Sequence, residues 1–167
     1  METLEFSIDL IDKIKFESTE IFEIDAVSKE KSFYFLTKSD MNGIPANSTD
    51  EDLINLRIKL SELFSTKFSG YPMLEQKCDI KRDTFQKILR FKTGRNMTTH
   101  MLAKFAVGAE LSIEEANGLF ELLGHPLNSR NRFDYILMCE LKNKCDITEF
   151  DSDLRKYGYK SIFSKAD

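Results

Sequence analysis

From Leu53 to the C-terminus, apolar residues recur every three or four positions along the chain. This period places the apolar side chains on one face of an α-helix, whereas a half-buried β-strand would need strict alternation. Residues that start or stop helices interrupt the pattern at short intervals, so one continuous helix is excluded. The segment is therefore predicted to form several short helices that pack around a common core.

Capping residues mark where these helices start and stop. Ser112 with Glu115, and Asp146 with Glu149, have the spacing of a capping box, in which side chains and backbone at a helix start bind each other. Glycine follows two of the apolar runs, as is usual at helix ends. The predicted helices are a first capped by Thr49 or Asp50, a second over about Pro72–Cys78, a third over about Lys81–Arg90, a fourth capped by Thr98 or Thr99, a fifth from Ser112 to Gly124, a sixth that starts at Asn128 or Ser129, and a seventh from Asp146 to Gly158.

The first part of the chain has a different pattern. Residues 20–27 and 32–38 are rich in Ile, Val, Phe and Tyr, and a polar Ser-Lys-Glu-Lys separates them, which is typical of a β-hairpin. Because an isolated hairpin is marginal in water, it must pack on a third strand from residues 4–10, on the helical domain or on a second subunit. A linker rich in Asn, Ser and Asp follows. The sequence thus predicts an N-terminal segment with its linker, residues 1–47, and a helical domain, residues 48–167.

The two parts of the chain carry opposite net charge. Residues 1–52 hold 13 acidic and 5 basic side chains, whereas residues 53–167 hold 15 acidic and 19 basic ones. Residues 77–95 alone hold seven basic side chains and two acidic ones. Salt screens charges beyond about 8 Å at physiological ionic strength. A partner's phosphates would therefore respond to this local cluster and not to the net charge of −4.

Composition is typical of a folded cytoplasmic protein. Hydrophobic residues make up 41% of the chain, no apolar run has the length of a membrane span, and the acidic N-terminus does not resemble a secretory signal. The three cysteines, Cys78, Cys139 and Cys145, form neither a CxxC pair nor a zinc-binding pattern. We expect reduced thiols, a cytoplasmic location and no membrane contact.

The sequence shows no pattern typical of a catalytic or cofactor-binding site. His100 and His125 are separated from each other and from any carboxylate cluster, so both are interpreted as surface or helix-end histidines. The acidic pairs Glu114–Glu115 and Asp151–Asp153 are expected in the first turns of helices, where the helix dipole favours them. The glycines are scattered and form no phosphate-binding loop. We expect no enzymatic activity, no cofactor and no metal.

The second and third predicted helices contain the residues that resemble a known family. Leu74 lies in the second helix, Ile80 closes the turn, and Lys81-Arg82-Asp83-Thr84-Phe85-Gln86-Lys87-Ile88 opens the third helix. These residues resemble the lambda-repressor-like (Xre-type) helix-turn-helix family. In that family, apolar residues at the positions of Ile80, Phe85 and Ile88 hold the two helices together.

The resemblance extends from about residue 53 to residue 123. Residues 102–120 are similar to the fourth and fifth helices of the family, and residues 111–137 resemble a divergent branch that adds two further helices. The resemblance implies a mainly α fold, a lambda-repressor-like bundle with two additional C-terminal helices. Its helix-turn-helix would cover about residues 72–90, and the small acidic β-hairpin segment would precede it.

Three features depart from the family pattern. Glu75 stands where a small Ala is usual, Asp79 where the turn usually has Gly, and Tyr71-Pro72-Met73 where a phosphate-binding Gln often opens the second helix. Asp tolerates the left-handed conformation that such a turn needs. The missing Gln leaves open whether the two helices bind DNA or protein.

The polar face of the third helix suits a recognition helix. Arg and Lys can donate to guanine, Gln can pair with adenine, and Thr can contact a thymine methyl group or a phosphate. The following loop, with the exposed N-terminus of the fourth helix, would suit backbone phosphates. The predicted DNA-binding residues are Lys81, Arg82, Thr84, Gln86, Lys87 and Arg90 in the helix, and Lys92, Arg95 and Asn96 in the loop.

These features favour a sequence-specific DNA-binding transcriptional regulator of phage or bacterial type, which binds double-stranded DNA as a homodimer. The N-terminal segment would mediate dimerisation, or its acidic face would dock a basic protein partner. The alternative is a protein-interaction module on a helix-turn-helix scaffold. An antitoxin or a phage-encoded inhibitor of a nucleic-acid-binding defence enzyme would be such a module.

Overall fold

The computed structural model describes residues 7–8, 11, 46–90 and 97–163 of the chain. Within these ranges the protein is mainly helical and has no β-strand element, which confirms the predicted α class. The predicted β-hairpin, residues 20–38, lies outside the described residues. The helices are α1 (Asp50–Lys67), α2 (Tyr71–Cys78), α3 (Arg82–Arg90), α4 (Thr99–Gly108), α5 (Ile113–Leu123), α6 (Arg132–Asn143) and α7 (Ile147–Lys156).

Polar side chains cap several helices where the sequence predicts it. The hydroxyl of Thr49 accepts a hydrogen bond at 3.1 Å from the backbone N–H three residues later and caps α1. Both capping boxes are present, Ser112 with Glu115 at α5 and Asp146 with Glu149 at α7. Each cap satisfies N–H groups that have no partner inside the helix, so these local signals set the helix starts.

The prediction that the sixth helix starts at Asn128 or Ser129 is wrong. Asn131 caps α6, and its side chain accepts a hydrogen bond from the N–H of Asp134 at 3.0 Å. The Asn128 side chain instead accepts a hydrogen bond from the N–H of Arg130 at 2.9 Å. Because the Asn128 side chain closes a local turn, Asn131 is the residue that caps the helix.

Helix α4 lies at the centre of the fold. Its residues 101–108 are all buried, and it contacts α2, α5, α6 and α7. Helix α1 packs against α3 and α5. Aromatic rings join α1, α3 and α4, with centroid distances of 5.3 Å for Phe64–Phe85, 5.8 Å for Phe68–Phe105 and 5.9 Å for Phe85–Phe105. This cluster holds one face of α3 against the core.

The segment after α7 is anchored by a buried carboxylate. Asp151 lies in the second turn of α7 and is buried, so the expectation of a first-turn position is wrong. One carboxylate oxygen accepts hydrogen bonds from the hydroxyl of Ser161 and the N–H of Ile162, both at 2.7 Å. The other oxygen lies 3.0 Å from Nε of Arg155. Asp151 therefore holds the C-terminal segment on the helical body.

Residues near the N-terminus contact the helical body. The N–H of Ser7 donates to the hydroxyl of Tyr135 at 3.3 Å, and this hydroxyl donates to the carbonyl of Ser7 at 3.0 Å. Ile11 is only 3% exposed, and Ile8 packs against the same core. Ile8 and Ile11 have 3-10 helical backbone. The third strand considered for residues 4–10 is therefore wrong at Ile8, the residue of that range whose backbone is described as helical.

Residues 46–47 are also joined to the helices. The N–H of Ala46 donates to the carbonyl of Met97 at 3.1 Å, and the N–H of Asn47 donates to the carbonyl of Leu123 at 2.9 Å. Gly124 follows α5 with a φ of 90°, and a Cβ there would overlap the carbonyl of Asn47. The helical body therefore includes two residues on the N-terminal side of the predicted boundary.

Candidate nucleic-acid interface

Residues 79–81 form a short turn between α2 and α3. Asp79 adopts the left-handed conformation (φ 56°, ψ 39°), and its N–H donates to the carbonyl of Glu75 at 2.9 Å. The expectation that Asp takes this conformation in place of Gly is confirmed. Ile80 is buried, as is Leu74 of α2, so apolar contacts hold the turn on the core.

An ion pair ties the turn to the central helix. Nζ of Lys104 on α4 lies 3.1 Å from the carboxylate of Asp79, and the Lys104 side chain is only 11% exposed. A partly buried ion pair is screened less by salt than an exposed one. The Asp79 carboxylate is thus paired with a lysine of α4. Asp83 is then the acidic residue on α3 itself.

The structure divides α3 into a buried and a solvent-facing side. Phe85 and Ile88 are buried, as predicted, while Leu89 is half-buried. Gln86 is half-buried, because its helical position lies on the flank of the apolar face. The exposed predicted residues are Lys81, Arg82, Thr84, Lys87 and Arg90.

The exposed side of α3 carries excess positive charge. Lys77 of α2 lies 3.5 Å from Glu110, but both side chains are widely exposed, so this pair contributes little. Among residues 46–90 and 97–163, Lys81, Lys87 and Arg90 form no ion pair. Their charges can therefore act on an external anion.

Arg82 has a specific aromatic neighbour. Its guanidinium carbon lies over the ring of Tyr71, 5.3 Å from the ring centroid. Tyr71 in turn contacts Phe64 of α1, with ring centroids 4.9 Å apart. A contact over the aromatic face leaves the N–H donors of the guanidinium free for other partners.

A second arginine fixes the end of α3. Nε of Arg57 on α1 donates to the backbone carbonyl of Ile88 at 2.9 Å. Carbonyls in the last turn of a helix have no partner inside the helix, so the Arg57 side chain supplies one. The C-terminal end of α3 is thereby attached to α1, and the aromatic cluster attaches its middle.

Only part of the predicted phosphate-binding region lies within the described residues. Lys92, Arg95 and Asn96 lie outside the described residues. At the start of α4, Thr99 is buried, and the hydroxyl of Thr98 accepts a hydrogen bond from a first-turn N–H at 3.2 Å. The prediction that this N-terminus is exposed is wrong, because its first turn packs into the core.

Cys78 and His100 are uncharged at neutral pH. Burial raises the pKa of the Cys78 thiol to about 12. Burial, with a smaller effect of Lys104, lowers the pKa of His100 to about 4. The His100 ring stacks on Phe133, with ring centroids 4.7 Å apart. Within the described residues, no group of His, Cys, Asp and Glu side chains has a metal-binding arrangement.

Two neighbouring carboxyl groups, buried Glu140 of α6 and half-buried Asp153 of α7, lie between these helices. Glu140 is only 2% exposed, and burial together with the neighbouring Asp153 raises its pKa to about 9. Glu140 is therefore protonated at pH 7, and the neighbouring Asp153 carboxylate favours this state. Sequence reasoning missed this pair, although Glu140 lies three residues after Leu137, on the apolar face of the helix.

A small cavity lies between the ends of α2 and α4 and the start of α7. Its volume is about 230 Å³, and its lining includes Lys77, Gly108 and Ile147. Pockets for small ligands usually have about 300–1,000 Å³, so this cavity is below that range.

None of the helices in the described part of the chain combines the length and apolar character of a membrane span. The exposed side of α3, with its basic side chains, is the candidate site.

Comparison of the chain with models of protein families, with curated proteins and with solved structures finds no match. The geometry, burial and charge of α2, α3 and their neighbours are the features that bear on function.

Proposed function

We propose that the chain is a sequence-specific DNA-binding transcriptional regulator in which α2 and α3 form a helix-turn-helix. The arrangement of α3 carries the proposal. A short turn with a left-handed Asp79 joins α3 to α2, and buried Phe85 and Ile88 fix it to the core. Basic side chains occupy its solvent-facing side.

The dimensions and chemistry of this side of α3 suit a major groove. The groove is about 12 Å wide and admits one α-helix. Thr84, Lys87 and Arg90 project from the exposed surface of α3, where no described acidic side chain pairs with either cation. Lys87 and Arg90 suit phosphates or guanine, and Thr84 suits a thymine methyl group or a phosphate.

The proposal includes a homodimer. Two copies of the chain would present two α3 helices about 34–36 Å apart, one helical turn of DNA, to the halves of a palindromic site. We assign the self-association to the N-terminal segment. Light scattering on the full chain and on a variant without residues 1–45 measures it, and a full chain that is monomeric in every condition contradicts it.

The test of DNA binding is selection from a pool of random duplexes. The wild-type chain is expected to enrich one sequence family. Lys87→Ala and Arg90→Ala should then weaken binding to that sequence and reduce the salt dependence, by roughly one unit of slope for each lost phosphate contact. Melting temperatures should stay nearly unchanged, because both side chains are exposed.

Lys156→Ala is the matched control, since it removes one exposed positive charge from α7. This variant should bind DNA like the wild-type chain. If no sequence is enriched and the α3 variants bind no more weakly than Lys156→Ala, the proposal is wrong.

A protein-interaction module, such as an antitoxin or an inhibitor of a defence enzyme, is the second candidate function. Ile54 and Ile58 favour it, because they are 54% and 50% exposed and lie one turn apart on α1. Contiguous exposed apolar surface is where protein partners commonly bind. The double variant Ile54→Ser/Ile58→Ser should abolish binding to such a protein partner, a toxin or a defence enzyme. It should leave any DNA binding unchanged.

A further inference from the structure

We infer that Arg82 selects a guanine in the DNA site, and that Tyr71 is the positioning residue that prepares the Arg82 side chain for it. This inference rests on the proposed DNA-binding function. It goes further by assigning recognition of guanine to Arg82 and by assigning to Tyr71 a positioning role that acts through Arg82.

The position of Arg82 suits base reading. Arg82 is the first residue of α3, and residues near the N-terminus of a recognition helix contact base edges. Its side chain is exposed. Arg donates two parallel hydrogen bonds to O6 and N7 of guanine, the most common specific contact in the major groove. Arg82 therefore combines the right helix position with the right donor geometry.

Tyr71 restricts where this guanidinium lies. The Tyr71 ring is half-buried and held by Phe64, with centroids 4.9 Å apart. The guanidinium carbon of Arg82 lies over this ring, 5.3 Å from its centroid. A long side chain that already rests on a fixed ring loses less conformational freedom when it binds a base.

The other basic residues of α3 differ from Arg82 in this respect. Lys87 and Arg90 are exposed, and no described aromatic ring lies under either side chain. Unrestrained cations suit phosphates, which bind from many directions and carry no sequence information. The base-reading role is therefore assigned to Arg82.

The first experiment replaces atoms of the DNA and leaves the protein unchanged. In the enriched duplex, each guanine is replaced in turn by 7-deazaguanine, which lacks the N7 acceptor. One replacement should weaken wild-type binding about tenfold. The same replacement should have no effect on Arg82→Ala, because the partner of N7 is then absent. An equal loss in both proteins at every guanine overturns the role of Arg82.

The second experiment tests Tyr71. Tyr71→Phe keeps the ring and should keep the wild-type discrimination at that guanine. Tyr71→Leu should reduce it about three- to fivefold, the range of an exposed cation–π contact. Binding to an unrelated duplex should not change. In the Arg82→Ala background, Tyr71→Leu should have no further effect on discrimination.

These readouts separate a positioning role from a structural one. A loss of fold would weaken binding to all duplexes equally, and thermal melting of each variant measures it directly. Full discrimination by Tyr71→Leu overturns the role of Tyr71. A wild-type chain that enriches no duplex overturns the proposed function, and this inference with it.

Discussion

Two helices approach each other closely where Gly108 of α4 meets the end of α2. A Cβ at Gly108 would overlap Sγ of Cys78 and lie 2.6 Å from the carbonyl oxygen of Lys77. The Cys78 thiol also donates to the carbonyl of Phe105 at 3.8 Å. Since a backbone carbonyl cannot move away without moving α2, this position requires Gly.

Gly108→Ala should therefore destabilise the protein by about 1–3 kcal/mol, the usual range for overpacking a core. Gly118→Ala on α5 is the control, because nothing lies within 4 Å of its added Cβ. Removing a helical glycine there should stabilise by about 0.5–1 kcal/mol. Urea unfolding measures both changes, and similar effects of the two substitutions would show that the α2–α4 contact tolerates a methyl group.

Glu140 makes stability depend on pH. Its pKa is raised to about 9 in the folded protein, from an ordinary value of 4.5. The folded state therefore binds one more proton than the unfolded state between these two values. Stability should fall as pH rises through this window, by at most about 1.4 kcal/mol per pH unit.

Glu140→Gln should remove this dependence. The amide is neutral at every pH and can still donate a hydrogen bond to Asp153. The variant should be more stable than the wild-type chain at pH 8, and its stability should change less between pH 5 and pH 9, the range in which Glu140 titrates. Glu62→Gln, at an exposed position of α1, is the control and should not alter the profile. Parallel pH profiles of wild type and Glu140→Gln would contradict the assignment.

Helix α3 carries basic side chains that attract an anion and one acidic side chain that repels it. Helical spacing places Asp83 on the same side as Lys87 and Arg90, opposite to Phe85 and Ile88. A carboxylate there repels phosphates, although it can accept a hydrogen bond from the amino group of cytosine. Asp83 should therefore lower affinity for DNA in general while permitting selection of one base.

Asp83→Asn separates these two effects. If α3 binds DNA, the variant should bind unrelated duplexes more tightly, because one repulsive charge is removed, and discriminate less well at one base pair. Glu114→Gln, which removes an exposed negative charge from α5, should change neither quantity. Fluorescence anisotropy with matched and unrelated duplexes at two salt concentrations measures both. Equal affinities of Asp83→Asn and the wild-type chain would mean that α3 does not face the DNA.

Residues on both sides of segment 12–45 contact the same helical body. Ile11 is buried in the core, and Ala46 and Asn47 bond to the backbone beside α4 and α5. Removing the N-terminal residues should therefore reduce the stability of the helical part, although that part should still fold.

A fragment of residues 46–167 should unfold cooperatively at a lower temperature than the full chain, since it lacks Ile8 and Ile11. In the full chain, Ile11→Ala should cost about 2–5 kcal/mol, the range for a buried aliphatic side chain. Ile54→Ala is the control, because Ile54 is 54% exposed, and it should change stability by less than about 0.5 kcal/mol. A fragment as stable as the full chain would contradict the contribution of Ile11.

The sequence alone determined the helical class and most helix boundaries. Thr49, Ser112 and Asp146 cap helices through atoms at most three residues away, so a linear pattern contains the whole interaction. The same holds for the buried positions Phe85 and Ile88, because helical period decides which residues share a face. The basic character of α3 also follows from its residues alone.

Which of these residues are accessible, and what they contact, depends on how the helices pack. The N-terminus of α4 is covered, Arg82 rests on Tyr71, and Lys104 binds Asp79. Each contact joins residues that are distant along the chain, and their proximity depends on how the helices cross. Periodicity assigns a side chain to a face, but the neighbouring helix determines whether that face meets solvent, an aromatic ring or an opposite charge.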